Sequence, residues 1–252
     1  QLQRLLSEVA HPRVQFHAAI ALGKIGSQAA VPNLISLLES NSNKDPFLRH
    51  AAVMGLSGSA SPSQLAQFKS SPSVSVRIGA INALRRRESD LVSAFLDDKN
   101  LSVIQEAVRA IHDDFSIPRA LPRLAELLDR PDLPQDEAIT RRAISANLRL
   151  GRAENGKRLL RFALDDDRPS AMRQEAIESL RVWNQRPYLD RVEGRARNLS
   201  PRDPNLGNRL IQDNAMALLS SADSKLTATI TQAIRRNGLD VASDVLEKWF
   251  HD

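Results

Sequence analysis

The sequence contains no cysteine. Disulfides, thiolate metal sites and covalent c-type haem attachment are therefore excluded within these residues, and nothing follows about redox compartment. Aromatic residues make up only 4% of the chain, with two tryptophans and a single tyrosine. The apolar set is carried instead by Ala, Leu, Ile and Val, which suits closely packed helices better than a β-sandwich. No apolar run approaches the ~18 residues of a membrane span. No stretch alternates with period two between hairpin turns, and no H-E-x-x-H, G-x-S-x-G, P-loop or dinucleotide fingerprint occurs. The chain opens QLQRLL, without an initiator Met or a basic-then-apolar leader. It reads as a segment of a longer protein, with any address label lying outside it.

What is present is ordinary in amount and unusual in arrangement. Apolar residues are 42% and charged residues 26% of 252. The net charge is +5 and the sequence pI near 9.9, with the excess almost all arginine. A surplus of this size permits an anionic partner without requiring one.

One phrase recurs. HPRVQFHAAIALG begins at His11 and DPFLRHAAVMGL at Asp45. Val76, Ala80, Ala83 and Leu84 head a third copy, Val103, Ala107, Ala110 and Ile111 a fourth, and Met172, Ala176, Ile177 and Leu180 another. Weaker copies begin at Arg141 and Leu210. Offsets of four, seven and eight residues put these side chains on one helical face. Alanine in the middle of the face lets a neighbouring helix approach closely. Second amphipathic stretches lie between the copies: VPNLISLLES, LVSAFLDD, ALPRLAELLDR and GKRLLRFALDD. A helix pair of about thirty residues cannot bury its apolar face alone, so neighbours must stack into one core. The predicted fold is all-α, a right-handed α-α superhelix (HEAT-like solenoid) of about seven helix pairs.

Punctuation agrees with helices. Asp45-Pro46, Ser71-Pro72 and Pro169-Ser170 precede repeated helices, and Pro32, Pro118 and Pro122 stand at the openings of the alternate ones. Gly23, Gly26, Gly58 and Gly151 are expected to close the repeated helices. Residues 184–208 interrupt the pattern with three prolines and two glycines, a long loop that is either functional or a junction. The predicted organisation is HEAT-like repeats over 1–183, an irregular crossing loop over 184–208, and a terminal repeat with cap helices over 209–252, read as one solenoid with two subdomains as the alternative. Helical stretches are expected around 209–220, 223–237 and 240–251.

Chemistry is hard to find. None of the five histidines stands at metal-ligand spacing, and His17 and His50 flank the repeated alanines. Asp97-Asp98, Asp113-Asp114 and Asp165-Asp166-Asp167 end helical stretches and read as solvated loops supplying caps; the alternating oxygens and turn glycine of a calcium loop are missing. GRAENG, from Gly151, reads as an inter-helix turn. No catalytic, cofactor-binding or metal-binding residue is assigned. The densest positive feature runs from Arg141 to Arg161, where Arg141, Arg142, Arg149, Arg152, Lys157, Arg158 and Arg161 stand against the single acid Glu154. It reads either as a wet outer face balanced by Asp165–Asp167 or as a docking patch for an acidic protein surface or polyanion. Arg49, Arg77 and Arg173 occupy corresponding places and are expected to tie each repeat to an acidic loop. Trp183 is expected to bury against the irregular loop, and Trp249 and Phe250 to seal the last helix.

The phrases resemble HEAT repeats, particularly the short bacterial phycobilisome-lyase-like subtype with its D-P-x-V-R-x-x-A-A-x-A-L-G consensus. Gln15 and Ile104 depart from its arginine position. A narrower likeness lies in DPFLRHAAVMGL and the Trp183–Asp203 stretch, which resemble the repeat region of very large bacterial sorbosone-dehydrogenase-like proteins. There a β-propeller precedes the repeats and a cytochrome c-like domain follows. That resemblance implies a spacer and docking scaffold within an exported or membrane-associated oxidoreductase, with partners in the same polypeptide or on an acidic protein surface. It transfers no catalytic residue. The alternatives are a HEAT-like nucleic-acid binder or DNA glycosylase using a basic face, and, on fold analogy alone, a lyase acting on a tetrapyrrole.

Overall fold

The computed structural model describes residues 1–8, 11–185 and 188–241, apart from the Arg197 side chain. The chain forms two compact units, Gln1–Ala120 and Leu121–Asp252. Each is an all-α repeat stack of the solenoid class. The expected helix over 240–251, with Trp249 and Phe250, lies outside the described residues apart from its first two positions.

In the first unit the repeated phrases are helices α2 (Pro12–Ile25), α4 (Pro46–Ser59), α6 (Val74–Arg86) and α7 (Leu101–His112), preceded by α1 (Leu2–Ser7). They pack side by side in sequence order. Ala18, Ala19, Ala51, Ala52, Ala80, Ala83, Ala107 and Ala110 are all buried. α3 (Val31–Asn41) and α5 (Pro62–Gln67) lie behind them and seal the seam with Leu34, Leu37, Leu38 and Leu65. LVSAFLDD is not α-helical: Asp90–Phe95 is a 3-10 run. It is confined between Glu88, which has left-handed backbone (φ 52°), and the turn at Asp98, and that short span favours the tighter i→i+3 bonds.

Caps fall where short polar side chains precede the helices. Asp45 accepts from the N–H groups of Phe47 (2.8 Å) and Leu48 (3.2 Å), Ser61 and Gln64 form a capping box, and Asn100 caps α7. Asp98 is therefore not the cap of α7. Gly26 and Gly151 end α2 and α9 in left-handed backbone, as expected. Gly23 and Gly58 do not end helices. Both lie inside them, and an added Cβ at Gly23 would stand 2.6 Å from the Met54 carbonyl oxygen. Their role is close helix approach.

The second unit repeats the pattern with α8 (Leu121–Ala125), α9 (Glu137–Leu150), α10 (Ala153–Leu164) and α11 (Ser170–Arg181). ALPRLAELLDR is split, α8 running into a 3-10 turn over Glu126–Asp129. The 184–208 segment holds a short antiparallel pair that sequence patterning did not predict, β1 (Tyr188–Leu189) with β2 (Ala196–Arg197). The stretch expected as one helix over 209–220 is two, α12 (Leu206–Asp213) and α13 (Ala215–Ser220), parted at Asn214; α14 spans Ser224–Asn237. Trp183 is buried, and its indole N–H donates to the Asp203 carbonyl at 3.1 Å.

Because Ala80 and Ala176 sit with no exposed surface on α6 and α11, Ala80→Trp and Ala176→Trp should each cost about 3 kcal/mol or more through overpacking. Arg152→Ala, at an exposed site, should stay within about 0.5 kcal/mol of the parent. Thermal melts with the reverse order would mean the helix faces are wrongly assigned.

Candidate functional site

A groove of about 810 Å³ runs across α4, α6 and α7 of the first unit. It is built from the residues between the core positions. Arg49, His50 and Val53 come from α4, Ile78, Asn82, Arg85 and Arg86 from α6, and Glu106 and Arg109 from α7. Spacings of three and four residues keep each set on one helix face. Asp114 and Ser116 close one end. Arg85 holds Asp114 at 3.0 Å, and Arg109 stands 3.6 Å from Glu106. Burial pushes the Asp114 carboxyl up, but the Ser116 N–H and the Arg85 guanidinium outweigh it, so its pKa lies below the usual carboxylate range. Phe47, next to the lining Pro46, is 72% exposed, and Phe115, between the lining Asp114 and Ser116, is 44% exposed.

Arg49 was expected to tie its repeat to an acidic loop, as Arg77 and Arg173 do. Arg77 pairs with Asp98 at 2.8 Å and donates to the carbonyl of Ser71. Arg173, buried, donates to the Ala163 carbonyl and the Ser221 hydroxyl and pairs with Asp166 at 3.1 Å. Arg49 makes no ion pair among the described residues. The reason is one of register. Asp98 lies 21 residues beyond Arg77, while the same step from Arg49 reaches Ser70, in a KSSPS loop with no acid. Arg49 turns into the groove instead.

In the second unit the basic cluster is partly neutralised. Arg158 and Arg161 converge on Asp129, at 2.5 and 3.0 Å, and Arg161 also meets Glu154 at 3.0 Å. Burial raises the Asp129 carboxyl, yet hydrogen bonds from both guanidiniums bring it below the ordinary value. The balancing acids are thus Asp129 and Glu154, and Asp165 is engaged by Arg168. Arg142 donates to the Ala138 carbonyl. Arg142 and Arg149 are half-buried, whereas Arg152 and Lys157 are exposed.

The 184–208 segment is irregular in sequence but tightly held. Asp190, without exposed surface, accepts from the Ser145 hydroxyl (2.9 Å) and from the N–H groups of Val192 (2.8 Å) and Glu193 (3.1 Å). Glu175, buried on α11, accepts from Arg141 at 2.7 Å and from Arg191 Nε and Nη2 at 2.6 and 2.9 Å. Arg202 donates to the carbonyls of Leu148 and Trp183 and lies over the Trp183 ring at 4.9 Å. Apart from Arg141, which heads the basic run to Arg161, none of these residues was singled out as a site from sequence. A signal existed for Glu175, which lies three residues beyond Met172 on the core phase of α11. The partners are engaged with one another, the Ser145 hydroxyl being held by the Asp190 carboxylate that also caps the turn.

Tyr188 reports on this cluster. Burial first, and the Asp190 charge second, push its phenol up to about 12 from the ordinary 10.0. Between these values the unfolded chain has lost a proton that the folded chain retains, so stability is full below pH 10 and falls as pH rises toward 12. As the sole tyrosine, it should give one phenolate absorbance transition near the higher value, with melting temperature falling across the same window. A transition at the ordinary value would contradict its burial.

Residues 1–85 match the family of HEAT repeats. No curated protein matches the chain. Among solved structures, one engineered protein is 19% identical with a TM-score of 0.40, covering 93% of this chain and 66% of its own, so this chain spans just under two thirds of its length. The complex of CpcE and CpcF of phycocyanin lyase from Nostoc sp. PCC7120 is 20% identical with a TM-score of 0.30, over 73% of this chain and 74% of that one. A second engineered protein is 16% identical, TM-score 0.32, over 93% and 94%.

Proposed function

We propose that this chain is a non-catalytic protein-interaction segment of a larger polypeptide. The observation that carries the reading is the contrast between its two kinds of polar side chain. The buried ones, Glu175, Asp190 and Arg173, hold helices and loop together. The α4–α6–α7 groove is left open and lined by groups facing away from the core. Repeat stacks present extended surfaces for binding, and a constellation of nucleophile, base and oxyanion donors has no counterpart in the residues described. The nucleic-acid reading is weaker because Arg158 and Arg161 are spent on Asp129. No helix among the described residues is long and apolar enough to cross a membrane.

The likeness of Trp183–Asp203 to the repeat region of dehydrogenase-like proteins supports a narrower form, a spacer between redox domains of an exported protein. Cross-linking mass spectrometry on the full-length natural protein tests both. Cross-links from either unit to another domain or a bound protein are expected. Their absence from both units would overturn the interaction reading, and links to a partner outside the polypeptide alone would overturn the spacer.

A further inference from the structure

We infer that the groove of the first unit, together with a shorter cleft beside it, is a docking trough for an extended acidic polypeptide segment. This rests on the protein-interaction reading and names the surface and the partner's chemistry.

The second cleft, about 280 Å³, lies where α2, α4 and α6 end, with Lys24, Met54, Ser57, Arg86 and Arg87 among its walls. Arg86 lines both concavities, so they adjoin. Four cations, Lys24, Arg49, Arg86 and Arg87, therefore bound one trough, and none has a carboxylate within ion-pair distance among the described residues. Of the three lining carboxylates, Asp114 and Glu106 are engaged by Arg85 and Arg109, which leaves Glu88. Among the described residues no carboxylate lines the shorter cleft. Lys24, Arg86 and Arg87 stand at helix C-termini, where the backbone favours positive charge. Helix ends thus account for their placement, but not for the missing carboxylates or for Arg49, which sits in the first turn of α4.

The wall chemistry selects the kind of anion. A continuous phosphate backbone would run past Glu88, Glu106 and Asp114. A polypeptide can place its carboxylates on Arg49 and Arg86 and its apolar side chains elsewhere. Apolar wall groups are present: Val53 and Ile78 line the groove, and Ile20 and Met54 the shorter cleft. An acidic segment with interspersed bulky apolar residues fits both features.

The probe is a fluorescein-labelled peptide of about twelve residues, mostly Glu with two Leu, long enough to span the trough when extended. It is titrated against the intact chain by anisotropy at low and raised salt. Binding should weaken with salt. Arg49→Glu/Arg86→Glu should cut affinity about tenfold or more. Arg152→Glu/Lys157→Glu, the same charge change at exposed sites of the second unit, should leave it unchanged, and Ile78→Ser, at a lining apolar position, should weaken the Leu-containing peptide more than an all-Glu one. Melts confirm that each variant is folded. No binding by the parent chain, equal loss in both double variants, or tighter binding of a single-stranded oligonucleotide of equal charge would each overturn the trough. Cross-links of the full-length protein that land only on the second unit would do the same while leaving the interaction reading intact.

Discussion

Gly58→Val should unfold the first unit at temperatures where the parent chain is folded. Two terms compete at this site. In an exposed helix interior, replacing Gly gains up to about 1 kcal/mol of helix propensity. Here a Cβ on Gly58 would fall on the Gly23 carbonyl of α2, and a Cβ on Gly23 would stand 2.8 Å from the Gly55 α-carbon. Gly55 is closed in turn by the Ala19 carbonyl at 2.9 Å and the Leu34 side chain. The obstacle is backbone rather than the end of a flexible side chain, so relief requires α2 and α4 to separate. That separation would expose Ala18, Ala19, Ala51 and Ala52. Overpacking of about 3 kcal/mol or more therefore outweighs the propensity gain. Gly58→Ala should lie between the parent and the valine variant, and Ser57→Ala, one residue away on the open cleft, should be close to neutral. Denaturant midpoints for the four proteins measure the series. A valine variant as stable as the parent would mean that the two helices do not cross through their glycines.

These glycines also mark a limit of legibility. The spacing of Ala18, Ala52, Ala80 and Ala176 is enough to place the repeated helices and their buried face, and Asp45-Pro46 locates the start of α4 within a residue. The role of Gly23 and Gly58 was not legible, because a glycine near a helix end looks the same whether it stops the helix or admits a neighbour. The deciding atoms belong to a helix some thirty residues away. LVSAFLDD failed differently: its apolar spacing suits a helix, but its length is set by turns on either side. In 184–208 the strands are two residues each, too short to show a period. The groove was half legible. Arg49 could be aligned with Arg77, and the lack of an acid at Ser70 stood in the sequence, but only the folded chain shows that Arg49, Arg86 and Lys24 border adjoining clefts.

Asp190→Ala should be the most damaging single change in the second unit outside its apolar core. Its carboxylate serves two structures at once. Oδ1 accepts from the Val192 and Glu193 N–H groups and so forms the turn between β1 and β2, while its backbone N–H donates to the Arg195 carbonyl. Oδ2 accepts from Ser145 on α9 and ties that turn to the helix. Truncation strands three donors beside a site with no exposed surface. With hydrogen bonds to a charged group contributing roughly 1.5–3 kcal/mol each, and partial relaxation expected, the net loss should be about 3 kcal/mol. Asp190→Asn keeps an acceptor for both N–H groups and presents an amide to the Ser145 hydroxyl, so about 1 kcal/mol should be lost. The same pair of variants acts on Tyr188. The Asp190 charge is the second cause, after burial, of its raised pKa, and removing that charge should bring the phenolate transition down from about 12 while burial keeps it above the ordinary 10.0. A lowered Tyr188 transition in the asparagine variant, with most of the stability retained, separates charge from scaffolding. If Asp190→Ala matched the parent in stability and left the Tyr188 transition in place, the loop would owe its order to its other ties, those of Arg191, Arg202 and Trp183, and the carboxylate would have no part in docking it to α9.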